Sequence, residues 1–118
     1  MRLLLISNST NAGEAYLEHP LQQIMDFLGE SRLTAAFVPY AGVTISFDDY
    51  TERVRSRFRE IGHDIISVHE TPDPVETINT AKAVVVGGGN TFQLVKLMQD
   101  KGLISAIRNR VLSGMPYI

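Results

Sequence analysis

Cysteine is absent from all 118 residues, which excludes disulfides and thiolate chemistry. Histidine is scarce: His19, His63 and His69 are scattered without the spacing of a metal site, so neither redox nor zinc chemistry is indicated. Long apolar runs are missing too. Met1-Arg2 followed by only Leu3 to Ile6 is too short for a signal peptide, and no later run approaches the ~18 residues of a membrane span. A cytoplasmic protein without a membrane partner is the expectation. Neither sign of charge prevails: 11 basic residues against 13 acidic ones give a net charge of −2, which leaves no global field to hold nucleic acid. Small ligands are the expected partners. Internal repeats, low-complexity tracts and linkers are also missing, so residues 1–118 read as a single α/β domain.

What is present is organised around Ala83-Val84-Val85-Val86-Gly87-Gly88-Gly89-Asn90-Thr91-Phe92. Four apolar residues without polar alternation predict a central parallel strand covered on both faces. The glycines then permit positive φ and close approach, and Asn90 or Thr91 can cap the following helix. Unpaired N–H groups at the carboxyl end of a strand suit an oxyanion or a phosphate. A tight turn with no ligand is the bland alternative.

Strands are also predicted at Leu3–Ile6 (buried), Thr34–Val38, Asp64–His69 and Met115–Ile118. Helical spacing runs from Tyr16 to Leu28, with Pro20 confined to the first turn and Gly29 as a stop. Ser46 with Asp49 starts a second helix, in which Phe47, Tyr50, Val54, Phe58 and Ile61 trace one face. Asp73-Pro74 opens a short third helix over Val75–Lys82. Leu94, Leu97 and Met98 mark a fourth ending near Gly102, and Leu103, Ile104, Ile107 and Val111 a fifth ending near Gly114. This alternation predicts a doubly wound, mainly parallel sheet with helices on both faces and ligand loops at the carboxyl ends of the strands.

Other polar candidates read as structural. Glu18 and His19 are adjacent, so on a helix they point apart and make a poor base–orienter pair. His69 at a strand end has a conceivable supporting role near the site, and His63 reads as a loop residue. Arg53, Arg55, Arg57 and Arg59 spread around a helix and read as a solvated face. Ser7, Ser9 and Thr10 have no identifiable base nearby and read as turn residues.

Leu3-Leu4-Leu5-Ile6-Ser7-Asn8-Ser9-Thr10, Tyr16-Leu17-Glu18-His19, Val38-Pro39-Tyr40-Ala41-Gly42-Val43-Thr44, Val86-Gly87-Gly88-Gly89-Asn90-Thr91-Phe92 and Pro116-Tyr117-Ile118 together resemble the S51 serine peptidases, the peptidase E family of α-aspartyl dipeptidases. The resemblance spans nearly the whole chain. It implies a fold like that of class I glutamine amidotransferases, hydrolysis of dipeptides with an amino-terminal aspartate, and no metal or cofactor. It also implies a Gly-x-Ser-x-Gly nucleophile elbow directly after the Pro-Tyr-Ile strand, with its histidine and acidic partners further on. None of these lies within residues 1–118, so the fold is expected to be incomplete at its C-terminus and the segment to be the amino-terminal part of a longer chain, inactive alone. Its own carboxyl-terminal portion is then a partner. Gly88 first and Gly89 second are expected to supply the oxyanion hole. Asn90 reads as a substrate-binding amide and equally as a helix cap. Two other readings stay open: a nucleotide- or phosphate-binding α/β module, against which the missing G-x-G-x-x-G and P-loop patterns count, and a non-catalytic half that needs a partner chain.

Overall fold

The computed structural model describes residues 1–6 and 17–118; Ser7, Ser9 and Thr10 lie outside the described residues. The chain forms an α/β fold with a parallel sheet. In order, its elements are α1 (Leu21–Leu28), β1 (Thr34–Val38), α2 (Phe47–Glu60), β2 (Asp64–Ser67), a single 3₁₀ turn (Val68–Glu70), α3 (Pro74–Thr80), β3 (Ala83–Val86), α4 (Thr91–Asp100) and α5 (Leu103–Leu112). The strands pair in the order β2-β1-β3, with Phe37 opposite both Ser67 and Val85. Tyr117 extends the sheet by bridging Val84 on one side and Leu3 on the other.

Strand alternation distributes the core between two faces. Ala35, Phe37, Ala83 and Val85 pack with Ile24 and Leu28 of α1 and Tyr50, Val54 and Phe58 of α2. Ala36, Val38 and Val84 pack with Ile78 of α3 and Leu103, Ile107 and Val111 of α5. β3, and β1 from Ala35 onward, are therefore apolar because both faces are covered. Local chemistry sets the helix starts. Ser46 Oγ accepts the Asp49 N–H at 3.0 Å, and Asp73 Oδ1 accepts the Glu76 N–H at 3.2 Å ahead of Pro74.

Several sequence expectations need correction. Leu3–Ile6 is an edge segment, not a buried strand. Its Leu4 N–H donates to Tyr117 O (2.9 Å), and Leu4 and Ile6 reach the core, yet Leu3 and Leu5 are 45% and 75% exposed. Their side faces a shallow apolar hollow against α5, so only one face is covered. α1 begins at Leu21 because Pro20 disfavours helical backbone at the residue before it, and Leu17 turns through a left-handed φ of 58° to reach the core. β2 stops at Ser67, where Pro39, just past the neighbouring strand β1, has no N–H to continue the ladder, and His69 falls in the 3₁₀ turn.

His63 does sit in the loop between α2 and β2, but it is a buried staple there. At 1% exposure its Nδ1 accepts the Leu33 N–H (3.2 Å), which leaves Nε2 as the donor to Gly29 O (3.2 Å). Nor is Arg55 part of a solvated face. Its side chain is 15% exposed, chelates both oxygens of Glu70 at 2.9 Å, meets Glu52, and donates to Ile65 O at 3.2 Å. Burial works against its charge, but Glu70 and Glu52 outweigh it and the guanidinium pKa moves up. Arg32 similarly holds the exposed Asp64 carboxyl below its ordinary range by a paired hydrogen bond.

Candidate active site

The site lies where β1 and β3 end side by side. Past β3, the Gly87 N–H donates to Val38 O (3.0 Å) and the Asn90 N–H to Ala41 O (2.8 Å). Gln93, in the first turn of α4, adds two bonds from Nε2, to Tyr40 O (2.7 Å) and Gly42 O (3.1 Å). The glycine turn and the 40–42 loop are thus stitched together across the sheet edge.

Two of the three glycines are required by this packing. A Cβ on Gly87 would lie 2.5 Å from the Tyr50 hydroxyl, and one on Gly89 would lie 2.3 Å from Ala41 O, with φ at 144°. Gly88 has nothing within 4 Å of a built Cβ.

Between the two anchored amides are those of Gly88 and Gly89. Among the described residues, neither N–H has a hydrogen-bond acceptor, and both residues are exposed. The Gly88 carbonyl, in contrast, accepts from the buried Tyr50 hydroxyl at 3.1 Å. Two amide N–H groups without an acceptor among the described residues thus lie just past the carboxyl end of β3. They border a cavity of ≈ 280 Å³ walled by the 41–45 loop, Tyr50, Arg53 and Asn90. Among the described residues no carboxylate lines it, and Arg53 is the one charged side chain that does. The amino terminus of α4 adds partial positive charge. Asn90 caps that helix, with Oδ1 accepting the Gln93 N–H at 2.9 Å.

Behind the cavity wall, the Tyr40 ring meets Phe47 at 5.7 Å, and Phe47 meets His69 edge-on at 5.7 Å. Burial pushes the Tyr40 phenol above its usual pKa, so it remains a neutral hydroxyl. His69 lies between Ser67 Oγ and Asp48 Oδ1 (2.7 Å), a line that imitates a catalytic triad. Ser67 is completely buried, so no substrate carbonyl can reach it. Glu18 and His19 occupy the turn before α1, away from the cavity lining. Among the described residues no three His, Cys, Asp or Glu side chains could hold a metal ion, and no helix is long and apolar enough to cross a membrane.

Ile118 is the neighbour of this turn. Its N–H donates to Val84 O (2.9 Å) and its carbonyl accepts from Val86 N–H (2.8 Å), which sets it beside Gly87 and Gly88. Reading the sequence alone singles out the glycines but misses Tyr50, Gln93 and Arg53. Tyr50 reads only as one apolar position on a helix face; its signal would have been the two glycines, Gly42 and Gly87, that crowd its ring.

Fold and site together define a parallel α/β protein with an exposed glycine turn at the carboxyl edge of its sheet. Residues 3–118 match the profile of Peptidase family S51, and the chain belongs to that family. It is 48% identical to peptidase E of Nostoc sp. (strain PCC 7120 / SAG 25.82 / UTEX 2576) over 117 residues, covering 99% of this chain and 48% of that protein. It is 46% identical to peptidase E of Shigella flexneri over 118 residues, covering 100% of this chain and 51% of that protein. The chain thus spans about half the length of the curated relatives it matches. A 1.5 Å crystal structure of a candidate peptidase E protein from Listeria monocytogenes EGD-e shares the fold, with TM-score 0.68 and 20% identity over 83% of this chain and 51% of that one.

Proposed function

We propose that this chain forms the oxyanion-hole side of a serine-type dipeptidase that hydrolyses dipeptides with an amino-terminal aspartate. The observation that carries this is the pair of amides at Gly88 and Gly89, which have no acceptor among the described residues and border an open cavity between two anchored neighbours. When a hydroxyl attacks the scissile carbonyl, the carbonyl oxygen becomes negative. Fixed N–H donors aimed at that oxygen stabilise the tetrahedral intermediate more than the substrate, and each is typically worth ~10²–10³ in rate. The nucleophile, its base and the acidic partner come from the remainder of the protein, and a segment following Ile118 would emerge next to Gly88. No metal or cofactor takes part, and the work is cytoplasmic.

Asn90 spends Oδ1 on its cap, so its amide NH₂ is the group offered to a substrate carbonyl. A substrate carboxylate would find Arg53 in the same cavity. Arg53→Gln in the full-length protein is expected to raise KM about tenfold or more, the worth of a charge-assisted hydrogen bond, with a smaller change in kcat. An unchanged KM in a folded variant removes Arg53 from the substrate contacts.

The reading itself is tested by incubating the full-length protein with Asp-Leu and with Ala-Leu. Free leucine from Asp-Leu alone is the expected result. Failure to cleave either, together with saturable binding of inorganic phosphate that protects the 86–91 amides from exchange, would favour the phosphate-binding alternative.

A further inference from the structure

We infer that Tyr50 is a positioning residue that fixes which face of the Gly88–Gly89 peptide meets the substrate; the inference rests on the oxyanion-hole reading above. The carbonyl of Gly88 and the N–H of Gly89 belong to one planar unit, and no described peptide bond is cis, so the two groups point in opposite directions. Holding the carbonyl on the buried Tyr50 hydroxyl turns the Gly89 N–H away from the core. Glycine rotates freely, and the built Cβ of Gly88 meets no atom within 4 Å. Among the described residues, Tyr50 is the one group hydrogen-bonded to this peptide unit. If the unit flipped, a carbonyl oxygen would face the developing oxyanion, so a donor would become a repulsive acceptor.

The surroundings hold the tyrosine itself in place. Its ring meets Phe37 edge-on at 5.1 Å, and Gly42 and Gly87 give it room: a Cβ on either would come within 3.1 Å or less of the ring or hydroxyl. An aromatic packed between Gly42 and Gly87, with its hydroxyl on the Gly88 carbonyl, is more than core filling. The hydroxyl is the part the core does not need.

Tyr50→Phe isolates that part, since it keeps the ring. In the full-length protein we expect kcat on Asp-Leu to fall about tenfold, the scale of one hydrogen bond's preference, with KM within about twofold and thermal stability nearly unchanged. Affinity for an aspartyl aldehyde, which forms a tetrahedral adduct, should fall by the same factor, while that for the matching alcohol stays put. Tyr50→Leu, which loses ring and hydroxyl, separates packing from positioning by lowering stability as well. A second readout does not depend on activity: the Gly88 carbonyl ¹³C shift should move in Tyr50→Phe. An unmoved shift, or wild-type kcat with that shift moved, overturns the positioning role. If the wild-type protein fails to cleave Asp-Leu while the shift still moves, the bond stands and the dipeptidase reading is what fails.

Discussion

Gly89→Ala is expected to lower kcat/KM on Asp-Leu by at least ~10²-fold, because it displaces one oxyanion donor from its position. Two independent features oppose a side chain here. The backbone has φ 144°, which L-residues rarely adopt, and the new Cβ would lie 2.3 Å from the carbonyl oxygen of Ala41. Backbone cannot yield as a flexible side chain does. The turn must lift off the 40–42 loop, and the Asn90 N–H bond to Ala41 O at 2.8 Å breaks with it. The Gln93 bonds to Tyr40 and Gly42 carbonyls are then strained as well. Gly88→Ala is the control: its Cβ meets nothing within 4 Å and its N–H is retained, so a fall of less than about tenfold is expected. Steady-state kinetics on both variants, with circular dichroism to verify folding, makes the comparison. Equal activities would show that the turn geometry does not matter to the chemistry.

Phe37→Ala should destabilise the fold by about 3–5 kcal/mol, the range for deleting a fully buried aromatic. Phe37 is 0% exposed at the middle of the central strand, flanked in the sheet by Ser67 and Val85, and carries the edge-on contact to Tyr50. The cavity left behind would be lined by the rigid sheet on one side and by Val54 and Phe58 of α2 on the other, so little collapse is available. The same substitution loosens Tyr50 and should therefore lower kcat beyond what Tyr50→Phe does. The denaturant midpoint at unchanged slope measures the first effect. A loss below about 1 kcal/mol would mean that this face of the sheet repacks readily.

Much of this architecture can be read from local chemistry. Ala35–Val38 and Ala83–Val86 announce buried strands because every position is apolar, and Ser46, Asp73-Pro74 and Asn90 announce helix starts because their side chains accept the first free N–H groups. The glycine turn was visible for the same reason: the backbone freedom it needs is written in residue type. What escaped depends on tertiary neighbours. Leu3–Ile6 has the composition of a covered strand, and only its place at the sheet edge reveals that Leu3 and Leu5 lie bare. His63 and Arg55 carry polar groups that a sequence assigns to solvent, until Leu33, Gly29 and Glu70 are brought within reach. Tyr50 and Gln93 act on loops 38 and 51 residues away along the chain, a separation that helical periodicity cannot encode.

The most direct test of the oxyanion assignment is a crystal structure of the full-length protein with an aspartyl aldehyde bound as its tetrahedral adduct. The adduct oxygen should lie about 2.7–3.1 Å from the backbone nitrogens of Gly88 and Gly89, with Tyr50 still on the Gly88 carbonyl. An adduct oxygen held by other donors, with these two amides turned onto protein carbonyls, would contradict the account.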